Sequence, residues 1–131
     1  MRPVSTSAFY HPYLAFVTKY LYKCITAEMA LRMDAIAKAI VVKYQGDILE
    51  SNGEPDHRHF LITCPPSVCP STLVGAIKTA TSRVLRREFA EHLRPFYWKP
   101  VFWSRSYCLV SAGGAPLEII KRYIRVQGRG A

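Results

Sequence analysis

The sequence predicts an α+β domain of the ferredoxin-like (RRM-like) type, an antiparallel sheet with helices on one face and a further C-terminal helix. The first observation is periodicity, which changes between strand and helix spacing in the order β-α-β-β-α-β-α. The second is composition: the chain has 131 residues, 50% hydrophobic and 21% charged, which suits one hydrophobic core. We therefore predict a single domain over residues 1–131, with residues 1–9 expected to be mobile.

The first strand and the first long helix are predicted from the N-terminal third of the chain. Residues 10–22 are aromatic, apolar and β-branched, which is typical of a strand. Residues 26–44 follow helical spacing, with Thr26 as the candidate N-cap and Gly46 as the end signal. The expected inward face of this helix is Met29, Met33, Ile36 and Ile40.

A hairpin is predicted next. Residues 47–51 can form a short strand, and residues 52–55 (Asn-Gly-Glu-Pro) have the composition of a turn. Residues 57–64 are the clearest strand in the sequence, and the pair Pro65-Pro66 ends it.

The C-terminal half is predicted as helix, strand and helix. These elements cover residues 70–94, 101–112 and 116–127, with Pro116 at the first helical position of the last one and Gly128 after its end. The expected inward residues of the longer helix are Leu73, Ile77, Val84, Leu85 and Phe89.

Charge and sequence pattern limit the possible partners and compartments. A formal net charge of +9 and a pI near 9.7 favour a polyanionic partner, most often a nucleic acid. No run of apolar residues is long enough to cross a membrane, and the first residues lack a signal-peptide core, so we expect a cytoplasmic protein with no membrane partner.

The four cysteines are expected to be reduced thiols, mostly packed as small apolar side chains. They are Cys24, Cys64, Cys69 and Cys108.

Two histidines form the first candidate site. His57 and His59 lie two residues apart on a predicted strand, so both imidazoles face the same side of the sheet. Two neutral imidazoles are half of a divalent metal site. The opposite side of the strand carries Phe60, Ile62 and Cys64, which indicates the core. A histidine pair alone is more often structural than metal-binding.

The last predicted helix supplies two further candidates. Tyr123 and Gln127 are four residues apart and therefore share a helix face. The Gln127 amide oxygen is a possible third metal ligand, and the Tyr123 phenol can attack phosphorus once it is deprotonated. A helical tyrosine is usually a core or rim residue and a helical glutamine is usually solvated, so the prediction depends on the joint occurrence of all four residues.

Five blocks of sequence occur in a characteristic order. They are residues 16–20 (Phe-Val-Thr-Lys-Tyr), 56–61 (Asp-His-Arg-His-Phe-Leu) with Pro65-Pro66, 81–86, 103–114, and 120–127. These blocks resemble the single-tyrosine HUH transposases, the enzymes of the smallest bacterial and archaeal insertion sequences, and their REP-associated relatives. The similarity extends from about Tyr10 to Gly128.

This resemblance implies a mechanism and a set of partners. His57, His59 and Gln127 would hold Mg²⁺ or Mn²⁺, and Tyr123 would attack single-stranded DNA to form a 5′-phosphotyrosine link and a free 3′-hydroxyl. The family implies hairpin-marked DNA ends as substrate. It also implies a homodimer whose active sites are shared between subunits. Mn²⁺ suits a ligand set of two imidazoles and one amide better than Mg²⁺ does.

Basic and aromatic side chains are candidate DNA contacts. The cations can bind phosphates, although an ordinary solvated helix face is an equally good interpretation of any one of them. These cations are Lys78, Arg83, Arg86, Arg87, Lys121 and Arg122. Tyr97, Trp98, Phe102 and Trp103 can stack on bases or belong to the core, and for Trp103 the core interpretation is favoured.

Departures and alternatives remain. Arg58 replaces a usual apolar residue between the histidines and is expected either to extend to an edge or to pair with a carboxylate. Leu21 and Tyr13 stand where the family often has arginine and histidine. The alternatives are a domesticated relative that processes repeated palindromic hairpins, a relaxase or replication initiator, and a non-catalytic hairpin-binding module.

Overall fold

The computed structural model of the chain describes residues 8–111, with side chains to residue 105. The expected helix over 116–127 and most of the N-terminal segment 1–9 lie outside these residues. The elements in chain order are β1 (Pro12–Thr18), a 3₁₀ turn (Lys19–Leu21), α1 (Ala27–Lys43), β2 (Asp47–Glu54), β3 (His57–Thr63), α2 (Pro70–Glu88), α3 (Ala90–Leu93) and β4 (Trp103–Ser111).

The four strands form one antiparallel sheet in the order β2-β3-β1-β4. Two split β-α-β units joined in this way give the ferredoxin-like fold, so the predicted fold class is confirmed for the described residues. Helices α1 and α2 pack on the sheet face that carries Leu14 and Phe16 of β1 and Phe60 and Ile62 of β3. The opposite sheet face carries alternate residues of the same two inner strands.

Helix α1 begins and packs as its pattern predicts, with one shift of face. Thr26 is the N-cap, and its hydroxyl accepts a hydrogen bond from the Met29 amide at 3.1 Å. Met29 and Met33 are buried as expected. Ile36 and Ile40 are only partly buried, because Ala37 and Val41 continue the inward line at a constant spacing of four.

Helix α1 ends at Lys43, before the predicted signal Gly46. The left-handed residue is Gln45 (φ 65°), and the Gly46 amide donates to the carbonyl of Val41 at 3.0 Å. This is a Schellman-type helix end in which the left-handed residue lies one position before the glycine. Gly46 is needed for another reason: a Cβ there would lie 2.5 Å from the carbonyl oxygen of Thr63.

The predicted first strand is too long. β1 ends at Thr18, and the chain then turns at Lys19–Leu21, where Tyr20 (φ 62°) and Leu21 (φ 57°) are both left-handed. The Lys19 amide donates to the carbonyl of Phe102 at 2.8 Å, which ties the turn to the segment before β4. β propensity does not encode this tertiary hydrogen bond, so the aromatic residues there looked like strand.

The predicted hairpin turn at residues 52–55 is wrong by two residues. Asn52 and Gly53 pair with His59 and Arg58 inside the ladder, so β2 extends to Glu54 and the turn is Pro55-Asp56. A Cβ on Gly53 would lie 2.4 Å from the carbonyl oxygen of His57, so glycine is needed here because the two strands lie close together.

The predicted helix over residues 70–94 is divided into α2 and α3. Phe89 (φ −118°) separates them and lies partly buried against the core. Leu73, Ile77 and Leu85 are buried as expected, whereas Val84 is only partly buried. The sequence did not predict the buried Thr81, whose hydroxyl donates to the Ile77 carbonyl (2.6 Å) and accepts from the Trp103 indole (2.9 Å).

The described cysteines are free thiols, as expected. Cys24 and Cys64 are buried, and this burial raises the pKa of both thiols. Cys69 is exposed and is the exception to the apolar packing expected of most of these thiols, and the Cys108 side chain lies outside the described residues. Within residues 8–111, neither long helix has the length and apolar character that crossing a membrane requires.

Candidate active site

His57 and His59 lie on the sheet face opposite the helices, as the period of two predicted. They pair with Val17 and Ala15 of β1, whereas Arg58 between them pairs with Phe16. The two imidazole rings are nearly parallel, at an interplanar angle of 19° with centroids 6.1 Å apart. Both side chains belong to buried residues, 8% and 5% exposed. The strand therefore holds two imidazoles side by side in a protected environment.

Asp56 fixes the ring of His57. The Nδ1 atom of His57 lies 2.8 Å from Oδ1 of Asp56, and both side chains are largely buried. Because a carboxylate only accepts hydrogen bonds, Nδ1 carries the proton of a neutral His57 and Nε2 keeps the lone pair. A carboxylate behind the imidazole is the usual arrangement around a metal-binding histidine. The donor set therefore fits a divalent metal.

Backbone hydrogen bonds tie the turn that carries Asp56 to the rest of the fold. The Thr18 amide donates to the carbonyl of Asp56 at 3.0 Å, and the Ile25 amide donates to the carbonyl of Pro55 at 2.9 Å. The Thr18 hydroxyl also donates to the carbonyl of Tyr22 at 2.8 Å. The carboxylate is thus positioned by β1 and by the entrance to α1.

Tyr13 packs beside the histidine pair. Its ring stacks on His59 at 5.4 Å between centroids and 22° between planes, and the residue is fully buried. The sequence identified Tyr13 only as a departure from the family pattern. The structure instead places it against a proposed metal ligand, where it restricts the orientation of His59. Leu21, the other departure, lies in the strained 3₁₀ turn.

Arg58 points away from the histidines and pairs with a carboxylate, which is one of its two predicted outcomes. Its Nη2 atom lies 2.9 Å from Oδ2 of Asp34 on α1 and donates to the Ser51 hydroxyl at 2.9 Å. The Ser51 hydroxyl in turn donates to Asp34 at 2.6 Å. The charge on the core side of β3 is therefore neutralised within the fold.

The remaining predicted site residues are not all described. Tyr123, Gln127, Lys121 and Arg122 lie outside the described residues. In the part of the chain that is described, no three histidine, cysteine, aspartate or glutamate side chains are placed to hold a metal ion.

The basic candidates on α2 divide into two groups. Lys78, Arg83 and Arg86 line a hollow between α2 and the start of β4, together with Arg105. Arg87 is turned toward Glu88 instead, with 3.9 Å between the charged atoms. Burial, and secondarily the charge of Lys19, lowers the pKa of Lys78.

The aromatic candidates also separate by burial. Phe102 and Trp103 are core residues, 1% and 7% exposed, and their rings meet edge to face at 4.6 Å. Tyr97 is partly buried, and its hydroxyl donates to the Lys19 carbonyl at 2.7 Å. Trp98 is 87% exposed. The favoured core interpretation of Trp103 is confirmed.

Sequence reasoning assigned no role to Asp56, although the residue was part of the quoted motif. A carboxylate immediately before a histidine pair at the start of a strand is a usable signal. The stacking of Tyr13 on His59 depends on strand pairing and had no such signal.

The known proteins whose sequences are similar to this chain are transposases of insertion sequences. A sequence model of IS200-like transposases matches residues 6–127. The ISDra2 transposase TnpA of Deinococcus radiodurans is 25% identical over 118 residues, covering 90% of this chain and 82% of that protein. The transposase of insertion sequence IS200 from Salmonella typhimurium is 28% identical over 118 residues, covering 90% and 75%.

Two solved structures share the fold. A Deinococcus radiodurans protein assigned as a transposase superposes with a TM-score of 0.77 at 23% identity, covering 97% of this chain and 98% of its own. A REP-associated tyrosine transposase bound to a REP hairpin gives 0.61 at 8% identity, covering 95% and 66%. The family model spans nearly the whole chain, and the chain therefore belongs to the IS200-like transposase family.

Proposed function

We propose that this transposase cleaves and rejoins single-stranded DNA with Tyr123 as the nucleophile. His57, His59 and Gln127 would hold the divalent metal that this chemistry uses. The observation that carries the proposal is the parallel imidazole pair on the sheet face opposite α1 and α2, with Asp56 fixing the ring of His57. A purely structural pair would not need an imidazole whose second nitrogen is kept available by a partly buried carboxylate.

The chemistry conserves phosphodiester bonds. The Tyr123 phenol loses its proton, and its oxygen attacks the scissile phosphorus. The bond from phosphorus to the 3′ oxygen breaks, that oxygen takes a proton, and a 5′-phosphotyrosine link remains. The 3′-hydroxyl of a second strand then attacks the same phosphorus and releases the tyrosine. Because each bond broken is replaced by one formed, rejoining requires no nucleotide cofactor.

The proposed ligands are mixed in chemistry. His57 and His59 each supply an imidazole nitrogen, and Gln127 supplies an amide oxygen. Bound Mg²⁺ or Mn²⁺ would stabilise negative charge on the oxygens of the scissile phosphate. Two nitrogens favour Mn²⁺ in affinity, whereas Mg²⁺ would rely on water and phosphate oxygens to complete its shell.

The proposed partners are DNA ends marked by hairpins and a second copy of the chain. The relative that was solved with a REP hairpin supports a hairpin substrate. The net charge of +9 supports a polyanionic partner. A homodimer is proposed because excision needs two cleavages and each chain offers one Tyr123; active sites shared between subunits would link the two. The expected compartment is the cytoplasm, at the nucleoid.

Covalent capture on a denaturing protein gel tests the proposal. Single-stranded DNA with the ends of the host element is incubated with Mn²⁺ or Mg²⁺, and a slowly migrating protein–DNA adduct is expected. Tyr123→Phe should abolish the adduct, whereas Tyr20→Phe, at an exposed tyrosine, is the matched control and should keep it. His57→Ala and metal chelation should also abolish it.

A second DNA substrate, a repeated palindromic hairpin, distinguishes a domesticated relative from the enzyme of a mobile element. The domesticated alternative is considered because the fold is shared with the REP-associated transposase. Adduct formation on repeated palindromic hairpins, and none on element ends, would favour the domesticated role. Tight hairpin binding on native gels with no adduct on either substrate would contradict catalysis and favour the binding module.

A further inference from the structure

A basic groove lies between α2 and the segment that leads into β4. One hollow of about 430 Å³ is lined by Lys78, Arg83, Arg86 and Arg105, and it continues at Arg86 into a second hollow of about 500 Å³. The second hollow adds Arg94, Trp98 and Lys99. No carboxylate lines either hollow in the described part of the chain. We call these two hollows the basic groove.

The cations of the basic groove are mostly uncompensated. Arg94 pairs with Glu91 at 2.8 Å on the exposed surface. None of the other groove cations forms an ion pair with a carboxylate among residues 8–105. Crowding of like charges opposes folding, and an arriving polyanion would remove this repulsion. Burial, and secondarily the charge of nearby Lys19, lowers the pKa of Lys78.

Trp98 projects from the end of the basic groove. The residue is 87% exposed, and the ammonium of Lys99 lies 4.8 Å from the centre of its ring. Its neighbours are fixed: the Tyr97 hydroxyl donates to the Lys19 carbonyl at 2.7 Å, and Phe102 is 1% exposed. Trp98 is therefore held between two side chains anchored in the fold, and its indole is available for stacking.

We propose that the basic groove binds a single strand of DNA, with one unpaired base stacked on Trp98 and phosphates bound by Lys78, Arg83, Arg86 and Lys99. Lys78 and Arg86 are eight positions apart on α2, about 12 Å along the axis at 1.5 Å per residue. A stacked strand rises about 3.4 Å per nucleotide, so this length matches three to four nucleotides. Within a duplex the stacked neighbours cover both faces of each base, so the indole would find no free face there.

The groove lies on the helix side of the sheet, whereas the histidine pair lies on the other side. DNA held there is therefore remote from the proposed metal ligands. The groove positions a flanking strand rather than the scissile phosphate. This inference rests on the proposed function for its substrate class, but it is testable by binding alone.

Anisotropy of a short fluorescein-labelled oligothymidylate tests the groove. The full chain carrying Tyr123→Phe is used without metal, so that no covalent step contributes. Trp98→Ala should weaken binding about tenfold, the usual effect of losing one stacked base, while Trp98→Phe should stay within about threefold. Arg83→Ala should reduce the slope of log affinity against log salt by about 0.7.

Matched controls and a second signal distinguish stacking from general charge. Leu31→Ala and Lys43→Ala, both exposed on α1, should leave affinity unchanged. DNA should quench the fluorescence of Trp98, and the quench should disappear in Trp98→Phe because Trp103 is buried. Equal affinity of Trp98→Ala and its parent, or equal binding of duplex DNA of the same length, would overturn the proposal. Failure of adduct formation with intact Trp98-dependent binding would count only against the proposed catalysis.

Discussion

The ion pair between Arg58 and Asp34, on the core side of β3, is expected to contribute strongly to the free energy of unfolding. Arg58 is 13% exposed and Asp34 is 32% exposed in their side chains, with 2.9 Å between Nη2 and Oδ2. Coulomb's law at an effective dielectric of about 20 gives an upper limit of about 6 kcal/mol at this separation. Removing one partner of a fully buried pair usually costs about 3–5 kcal/mol. Because Asp34 is one-third exposed and keeps a hydrogen bond from Ser51, we expect about 2 kcal/mol for Arg58→Leu.

The measurement is urea unfolding followed by far-ultraviolet circular dichroism. A loss of about 2 kcal/mol corresponds to roughly 6–10 °C in the melting temperature of a domain of this size. Arg58→Leu combined with Asp34→Leu should regain most of the loss, because apolar replacement of both partners is often neutral. Because the double variant should regain most of the loss, the coupling energy from the double-mutant cycle should be at least about 1.5 kcal/mol.

A surface pair with similar geometry is the matched control. Arg32 binds both carboxylate oxygens of Glu88, at 2.8 and 2.9 Å, but the pair is solvent-exposed. Arg32→Leu should therefore change stability much less than Arg58→Leu does. Equal effects of the two variants, or strictly additive effects of Arg58→Leu and Asp34→Leu, would refute the reasoning.

Three further outcomes follow from single positions. Asp56→Ala should weaken Mn²⁺ binding about ten- to hundredfold in calorimetric titration, because the carboxylate orients His57. Gln45→Gly should raise the free energy of unfolding by about 1 kcal/mol, because Gln45 has φ 65° and glycine adopts this conformation without strain. Burial, with smaller contributions from Cys64, raises the pKa of Tyr10 from its usual 10.0 to about 12. The folded state therefore keeps this phenol proton more tightly, and the resulting stability should be complete below about pH 10 and lost as the pH rises to about 12.

Each of these outcomes has a control. Asp47→Ala, at an exposed carboxylate away from the histidines, should leave Mn²⁺ affinity unchanged, and equal losses from both variants would contradict the role of Asp56. Gln45→Ala keeps the strain, so it should show no gain comparable to that of Gln45→Gly. Tyr10→Phe should remove its share of the alkaline loss in denaturation curves recorded at several pH values; an unchanged pH profile would contradict the assignment.

Local periodicity predicted most of the fold. The alternation in β3 placed His57 and His59 together and Phe60 and Ile62 on the other side, because strand geometry allows only two faces. Thr26 was a correct N-cap because its hydroxyl needs only the backbone three residues ahead. These features depend on neighbours within a few positions in sequence.

Several of the errors involve contacts that are distant in sequence. The turn at Lys19–Leu21 depends on a hydrogen bond to Phe102, which propensity cannot register. Thr81 looked too polar for the core, yet it is buried because the Trp103 indole needs an acceptor. Trp98 and Trp103 are the same type of residue, and only tertiary packing makes one exposed and the other buried.

The two-residue turn Pro55-Asp56 has a consequence for how this chain tolerates insertions and deletions. Surface turns usually accept a change of length. Here the carbonyls of both turn residues are bound by amides of Thr18 and Ile25. One residue more or less would shift the register of β3, and a shift of one exchanges the two faces of a strand. The imidazoles would then point into the core and Arg58 would point toward the face that now carries the histidine pair, so the length of this turn is as much a requirement of the proposed site as its histidines.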